Sequence, residues 1–175
     1  MKTEHAERPG GHNIHLILRM KPVWVFIDEI RRFVESFCAC AIPGANREAQ
    51  LALTVHELMQ NAIPHARGED VDLLLEVDPT ADRVLVSVTN VCTDDEYAAL
   101  RDRVEGMYRE RDALAHYVKS MGQTPTSNRG GLGLPRIRFE AQLDLSVSHA
   151  GGRVTVQASG PLRVPAIKVS GGKHG

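Results

Sequence analysis

The chain lacks a long apolar run. No stretch approaches the roughly 20 consecutive apolar residues that a membrane-crossing helix needs. The opening residues, MKTEHAERPGGHN, have no hydrophobic segment of the kind found in a signal peptide. We therefore expect a cytoplasmic protein.

Cysteine is also scarce, with three residues in 175. Cys38, Cys40 and Cys92 form neither a C-x-x-C pair nor a second cluster at the spacing of metal ligands. This excludes a disulfide framework and gives no sign of a zinc site. We expect three buried, reduced thiols.

An excess of charge of one sign is missing too. The formal net charge is -1 and the isoelectric point is near 6.7, which gives no reason to expect nucleic acid or an anionic membrane as the main partner. With 42% hydrophobic residues and 175 residues in total, the chain can bury one core. We find no internal repeat, and we expect one domain over residues 13–160, with flexible tails at 1–12 and 161–175.

Alternating apolar residues predict strands in four places. These are residues 13–19, 71–77, 84–90 and the hairpin formed by 143–149 with 153–158. The turn at 78–82 joins the second and third of them. Alternation with one apolar face predicts an antiparallel sheet with helices on one face and water on the other, hence an α+β two-layer sandwich of about five strands.

Helical spacing of apolar residues predicts three further elements. A first helix follows Pro22 and stops near residues 42–44, and a second runs from an N-cap at Asn46 to Arg67, with Gly68 as its C-cap. Pro64 should loosen the last turn of this second helix. Residues 94–121 should be charged and largely helical, broken or bent at Gly106.

The second helix carries a polar stripe. Glu57, Asn61 and His65 recur every four residues, so at about 100° per residue they fall within a stripe roughly 80° wide. Leu51, Val55, Leu58 and Ala62 gather on the adjoining face. One face should pack against the core while the polar stripe borders a pocket.

A glycine-rich segment follows further along the chain at residues 127–134, SNRGGLGL. It leads into a helix signalled by Pro135 in the first turn. Backbone N–H groups at such a helix start, unobstructed by side chains, favour phosphate. Arg129 could add positive charge there.

The two motifs together resemble the GHKL (Bergerat-fold) ATP-binding superfamily of gyrase, histidine kinases, MutL and anti-sigma-factor kinases. Glu57, Asn61 and the pair His65-Ala66 match its N-box in type and spacing. Residues 131–134 match its second glycine box at a suitable distance. The resemblance implies a Bergerat fold and places the nucleotide lid of the family at residues 94–121.

The resemblance also implies roles for single residues, with ATP and Mg²⁺ as cofactors. Asn61 would hold Mg²⁺, an ion that takes few protein ligands, and Glu57 would act as general base or hold an attacking hydroxyl or water. The remaining implied nucleotide contacts are His65, Asn90, Arg129, Gly130, Gly131, Leu132, Gly133 and Leu134. For His65, a purely structural role at the helix end is favoured over a ligand contact.

One segment departs from the family pattern. Where the family has Asp-x-Gly-x-Gly, with a carboxylate that reads the adenine amino group, residues 90–94 read NVCTD. Asn90 can still accept a hydrogen bond, but Cys92 and Asp94 replace the two glycines. SiaB-type bacterial serine kinases look similar at this strand end.

Two other motifs are incomplete. A zinc-protease H-E-x-x-H beginning at His56 would need a histidine where the chain has Gln60. The phosphoacceptor box of sensor kinases also contains His-Glu, but it belongs to a separate helical hairpin for which this chain has no room. We therefore interpret His56 as structural.

Three functions stay open at this point. The resemblance implies a serine/threonine kinase that phosphorylates a small antagonist protein in a partner-switching pathway, with a sigma-factor-like regulator as a possible second partner. The alternative is a non-catalytic regulator with a degenerate nucleotide site, and simple ATP hydrolysis is a third possibility. Relatives often form homodimers through the sheet edge or first helix, so a homodimer is a further expectation by analogy.

Overall fold

A computed structural model describes residues 13–123 and 132–164 of the chain. Within these residues the predicted α+β sandwich is confirmed, with an antiparallel sheet of five strands covered by helices on one face. The strands are β1 (Ile14–Met20), β2 (Val71–Asp78), β3 (Arg83–Val91), β4 (Asp144–Ala150) and β5 (Arg153–Pro161).

The strand order in the sheet is β1-β2-β3-β5-β4. Both predicted hairpins are present, since β2 pairs with β3 and β4 pairs with β5, and the two hairpins join where Val88 of β3 faces Val156 of β5. Burial alternates along β2, where Leu73 and Leu75 are buried while Leu74 between them is only partly covered. A period of two therefore puts one face of the sheet into the core.

Five α-helices complete the described part of the fold: α1 (Phe26–Ala41), α2 (Glu48–Ala62), α3 (Asp94–Met107), α4 (Ala113–Gln123) and α5 (Gly133–Arg136). The last continues as a π-helical turn, Ile137–Ala141. Helix α2 lies at the centre of the helical layer and packs against α1, β3 and the π-helical turn. Across the described residues, no helix has the length and apolar character to cross a membrane.

The predicted N-cap of α2 is wrong by one residue. Asn46 has a φ of 52°, a left-handed conformation that asparagine tolerates better than most residues. The N-cap position is taken by Arg47, whose side chain makes no capping hydrogen bond. Asn46 therefore turns the chain into the helix without capping it.

The predicted end of α2 at Arg67 is also wrong. The α-helix stops at Ala62, and a single 3-10 turn, Ile63–His65, follows. Pro64 lies in that turn and has no N–H to donate to the carbonyl one turn earlier, so the α-helical ladder cannot continue. Gly68, predicted as the C-cap, has a φ of 80° but lies beyond the helix.

The break in the predicted helix over 94–121 does not lie at Gly106, since α3 continues through it to Met107. The guanidinium of Arg138 instead holds the junction between α3 and α4. Its Nη1 donates to the carbonyls of Met107 at 2.6 Å and Glu110 at 3.0 Å, and its Nη2 donates to the carbonyl of Arg111 at 3.2 Å. Carbonyls freed at the helix end are thus satisfied by a distant side chain.

The cysteines are free, as predicted, but they are not all buried. Cys38 lies in the core, and burial raises the pKa of its thiol to about 12. Cys40 is exposed, which the sequence interpretation missed, and Cys92 is partly buried.

The chain stays packed just beyond residue 160. Pro161 ends β5, the side chain of Leu162 is buried, and its backbone N–H donates to the carbonyl of Asp82. The boundaries predicted for the domain stay a prediction.

We expect Leu51→Ala to destabilise the protein by about 2–5 kcal/mol, because Leu51 is fully buried in α2 and its truncation leaves a cavity. Urea unfolding gives the free energy difference. Leu114→Ala on α4 is the matched control: its side chain is 47% exposed, so a change within about 0.5 kcal/mol is expected. Equal losses for both variants would contradict this assignment of the core.

Candidate functional site

The two predicted motifs meet in the structure. A Cβ atom added to Gly133 would lie 2.6 Å from Oε2 of Glu57 and 3.4 Å from Nδ2 of Asn61. The first distance is shorter than any normal contact, so a side chain at residue 133 would force the Glu57 carboxylate to move from its position. The last glycine of the glycine-rich segment and the polar stripe therefore form one site.

Glu57 is a nearly buried carboxylate, with 11% of its side chain exposed. Its Oε1 accepts a hydrogen bond from Nη1 of Arg136 at 3.1 Å, and Nε of Arg136 donates to Glu140 at 2.8 Å. Arg136 and Glu140 were missed by the sequence interpretation. Their spacing of four residues could have suggested that they pair with each other, but nothing local indicated the contact with Glu57.

Asn61 lies one turn beyond Glu57. Its Nδ2 donates to the backbone carbonyl of Glu57 at 2.8 Å, which uses the donor side of the amide. Oδ1 is left as the atom with lone pairs to offer to a cation or a donor.

A cavity of about 150 Å³ lies beside Asn61, between α2, α3 and the sheet. Typical small-molecule pockets measure roughly 300–1,000 Å³, so this one suits a single ring system better than a whole nucleotide. Its apolar walls come from the sheet, α2 and α3: Val88, Val154, Val156, Leu58, Ala62, Ala99 and Leu100. Its polar edge is formed by Asn61, His65, Asn90, Glu96 and Arg103.

Asn90 is buried near the end of β3 and borders this cavity. Its Nδ2 donates to the carbonyl of Val91 at 2.7 Å, which leaves Oδ1 as the acceptor on the other side of the amide. An acceptor is what the amino group of adenine requires, because that group only donates.

The segment that departs from the family pattern, residues 90–94, connects β3 to the start of α3. The backbone N–H of Cys92 donates to the carbonyl of Gly152, and Thr93 then begins α3 at once. Thr93 and Glu96 form a reciprocal capping box, in which each side chain accepts from the other residue's backbone N–H. The T-x-x-E spacing was the signal that the sequence interpretation overlooked.

Cys92 lies in the cavity wall where the family pattern has a glycine. Burial, followed by the nearby carboxylates of Glu96 and Asp94, raises the pKa of its thiol above the usual range. The side chain is therefore a neutral wall group at physiological pH.

His65 lies at the edge of the cavity, where it contacts α3. Its Nδ1 lies 3.1 Å from Oε1 of Glu96, and Arg67 Nη2 donates to Oε2 of the same carboxylate at 2.7 Å. His65 and Arg67, which follow α2 in the chain, thus hold the first turn of α3 through Glu96. This contact uses one nitrogen of the imidazole and leaves the other at the cavity edge.

The pKa of Glu96 is lowered from an ordinary value of 4.5 to about 2. The backbone N–H of Thr93 is the largest cause, and the side chains of Arg67 and His65 add to it. Hydrogen bonds to the charged form favour that form. Glu96 is therefore ionised throughout the physiological range.

Of the remaining predicted site residues, the structure describes some and not others. Leu134 is buried in the core and Leu132 is partly buried, so Leu134 anchors α5. Arg129, Gly130 and Gly131 lie outside the described residues, and their roles stay predictions.

No group of three or more His, Cys, Asp or Glu side chains that could hold a metal occurs in the part of the chain that the structure describes. A divalent cation here would therefore depend on few protein ligands, as Mg²⁺ typically does when a nucleotide supplies the other oxygens.

The lowered pKa of Glu96 gives a pH-dependent contribution to stability. A lowered carboxyl pKa stabilises the fold above the unfolded pKa, and the contribution disappears as pH falls from about 4.5 towards about 2. We expect the melting-temperature difference between the wild type and Glu96→Gln to be constant above pH 5 and to shrink below pH 4.5. Thermal melts from pH 3 to pH 7 measure it, with Glu110→Gln, an exposed glutamate, as control. A difference that does not vary with pH would contradict the assignment.

Comparison with known proteins adds a family. Residues 26–159 match the model of the histidine kinase-like ATPase domain. A search of curated proteins found no match. Among solved structures, one chain of the crystal structure of the SiaB–SiaC complex from Pseudomonas aeruginosa is similar, with 17% identity and a TM-score of 0.58 over 81% of this chain and 88% of that chain. At this identity the likeness concerns the fold alone. The family match covers most of the chain, and the chain therefore belongs to the histidine kinase-like ATPase domain family.

Proposed function

We propose that the protein is an ATP-dependent serine/threonine kinase that phosphorylates a small antagonist protein in a partner-switching pathway. Membership in an ATPase-domain family supports ATP binding. The contact between the Glu57 carboxylate and Gly133 carries the finer proposal, because it joins a candidate base to the end of a candidate phosphate-binding segment.

The residues present fit ATP and Mg²⁺. Gly133 has no side chain between the start of α5 and the Glu57 carboxylate, Oδ1 of Asn61 suits Mg²⁺, and Oδ1 of Asn90 suits the amino group of adenine. When bound, the nucleotide supplies the phosphoryl group and the metal neutralises the phosphate charge. Gly131 would complete the phosphate contact with its backbone N–H.

Glu57 would accept the proton of the attacking hydroxyl. Its Oε1 is engaged by Arg136, whereas Oε2 receives no hydrogen bond within residues 13–123 and 132–164 and lies against Gly133. A carboxylate with one oxygen held and the other available suits a general base or an orienting group.

A protein acceptor is supported by the similar structure, which is a complex of SiaB with SiaC. A chain of that fold assembles with a second protein. We infer by this analogy that the phosphoryl acceptor here is a serine or threonine hydroxyl of a protein.

A non-catalytic regulator is the second candidate, and one observation favours it. Cys92 and Asp94 stand where the family pattern has its two glycines, Thr93 between them caps α3, and the cavity beside this segment is small. A site that no longer admits the nucleotide would leave a protein-binding module.

Titration calorimetry with a non-hydrolysable ATP analogue, AMP-PNP, separates these two functions. We expect Mg²⁺-dependent binding by the wild type and at least tenfold weaker binding by Asn61→Ala, because a magnesium ligand is removed. Gln60→Ala, at an exposed position of the same helix, is the control and should bind normally. No binding by the wild type at millimolar analogue would exclude the kinase and favour the regulator.

Glu57→Ala should abolish phosphoryl transfer while AMP-PNP still binds. Loss of a general base typically costs about 10²–10⁴-fold in rate. The measurement is the transfer of labelled phosphate from [γ-³²P]ATP to proteins of the source organism. Mass spectrometry then locates the phosphoserine. Unchanged transfer by Glu57→Ala would remove Glu57 from the mechanism.

A further inference from the structure

Arg136, the last residue of α5, lies between two carboxylates that come from different elements. Its Nη1 donates to Oε1 of Glu57 on α2 at 3.1 Å, and its Nε donates to Oε1 of Glu140 on the π-helical turn at 2.8 Å. The side chain is 41% exposed. It therefore connects the helix after the glycine-rich segment to the candidate base.

The guanidinium is suited to this double contact. It is planar and presents N–H groups along two edges, whereas a lysine ammonium is a single point of charge on a flexible stem. Glu140 is itself held, because the hydroxyl of Tyr117 on α4 lies 3.5 Å from the same Oε1 and Tyr117 stacks on Phe139. One edge of Arg136 is thus anchored, and the other is directed at Glu57.

Apolar packing holds the elements that carry Arg136 and Glu140. Leu134, Ile137 and Ala141 are buried and fix α5 and the π-helical turn on the core. The Arg136 guanidinium is 41% exposed, whereas the Glu57 carboxylate is 11% exposed. The ion pair therefore acts on a carboxylate that water hardly reaches, where it can set the orientation of the group as well as contribute to stability.

The conformational freedom of the Glu57 side chain is what this ion pair restricts. Glutamate has three side-chain torsions, so an unheld carboxylate would sample several positions. Arg136 holds Oε1 on one side, and the missing Cβ of Gly133 makes room for Oε2 on the other. The two contacts together select one orientation of the carboxylate.

We propose that Arg136 is a positioning residue for Glu57: anchored by Glu140, it holds Oε1 so that Oε2 is presented towards Gly133. This inference rests on the proposed kinase function and adds to it the residue that orders the base. Misplacing a reactive group by about 1 Å can cost on the order of 100-fold in rate.

The first experiment needs no enzymatic activity. ¹H–¹⁵N correlation spectra that detect the Nε–H and Nη–H groups of Arg136 report whether the guanidinium is held. We expect slow rotation and a distinct Nε–H signal in the wild type, both lost in Glu140→Gln, with altered Nη–H signals in Glu57→Gln. A freely rotating guanidinium in the wild type would overturn the proposal.

The second experiment measures phosphate release from [γ-³²P]ATP and Mg²⁺ with water as acceptor. Arg136→Ala should lower kcat on the order of 100-fold and leave the Kd for AMP-PNP within about twofold of the wild type. Arg136→Lys should recover little, because lysine cannot contact both carboxylates. Millimolar methylguanidinium should restore part of the activity of Arg136→Ala.

Arg32→Ala is the matched control, since Arg32 is an exposed arginine paired with Glu29 on α1. The kcat of this variant should be unchanged.

Glu140→Gln keeps the side-chain shape and should lower kcat about tenfold, so the proposal stays testable if Arg136→Ala fails to fold. An unchanged kcat in Arg136→Ala would overturn the positioning role, and so would a loss explained wholly by weaker AMP-PNP binding. A wild type that binds AMP-PNP but neither releases phosphate nor labels a protein from [γ-³²P]ATP would overturn the proposed chemistry, while the spectra decide the contact of Arg136 with Glu57 separately.

Discussion

The close approach of Gly133 to Glu57 is the constraint on which the site depends. The Glu57 carboxylate can take its position only while residue 133 has no Cβ, because a Cβ there would lie 2.6 Å from Oε2. Leu134 and Ile137 then bury α5 and its continuation. The apolar contacts fix where the backbone lies, and the missing side chain lets the candidate base lie against it.

The start of α3 is fixed by side-chain hydrogen bonds. Where the family pattern has two glycines, this chain has Cys92 and Asp94, and Thr93 between them forms a capping box with Glu96. The same Glu96 carboxylate is contacted by His65 and Arg67. The Glu96 carboxylate thus accepts the backbone N–H of Thr93, the N-cap residue of α3, and links this helix to the turn after α2. These hydrogen bonds account for its strongly lowered pKa.

The sheet, the existence of the helices and the polar stripe could be predicted from the sequence, because each follows from a local period or from a motif with fixed spacing. The helix ends could not, since Asn46 turns the chain without capping it and Pro64 stops α2 earlier than its apolar pattern suggests. Arg136 and Arg138 were missed for another reason. Their partners lie 79 and 31 residues away, at Glu57 and Met107, and no local pattern encodes such a separation.

Helix α2 carries a charged contact at each end of its polar stripe. Glu57 binds Arg136 next to the glycine-rich segment, and His65, in the turn after the helix, binds Glu96 at the start of α3. The Glu57 side chain is nearly buried, whereas the His65 side chain is 53% exposed. The first contact is therefore shielded from water and can order the candidate base, while the second is screened and adds little to stability. The buried apolar side chains of α2 hold both contacts at fixed positions in the fold.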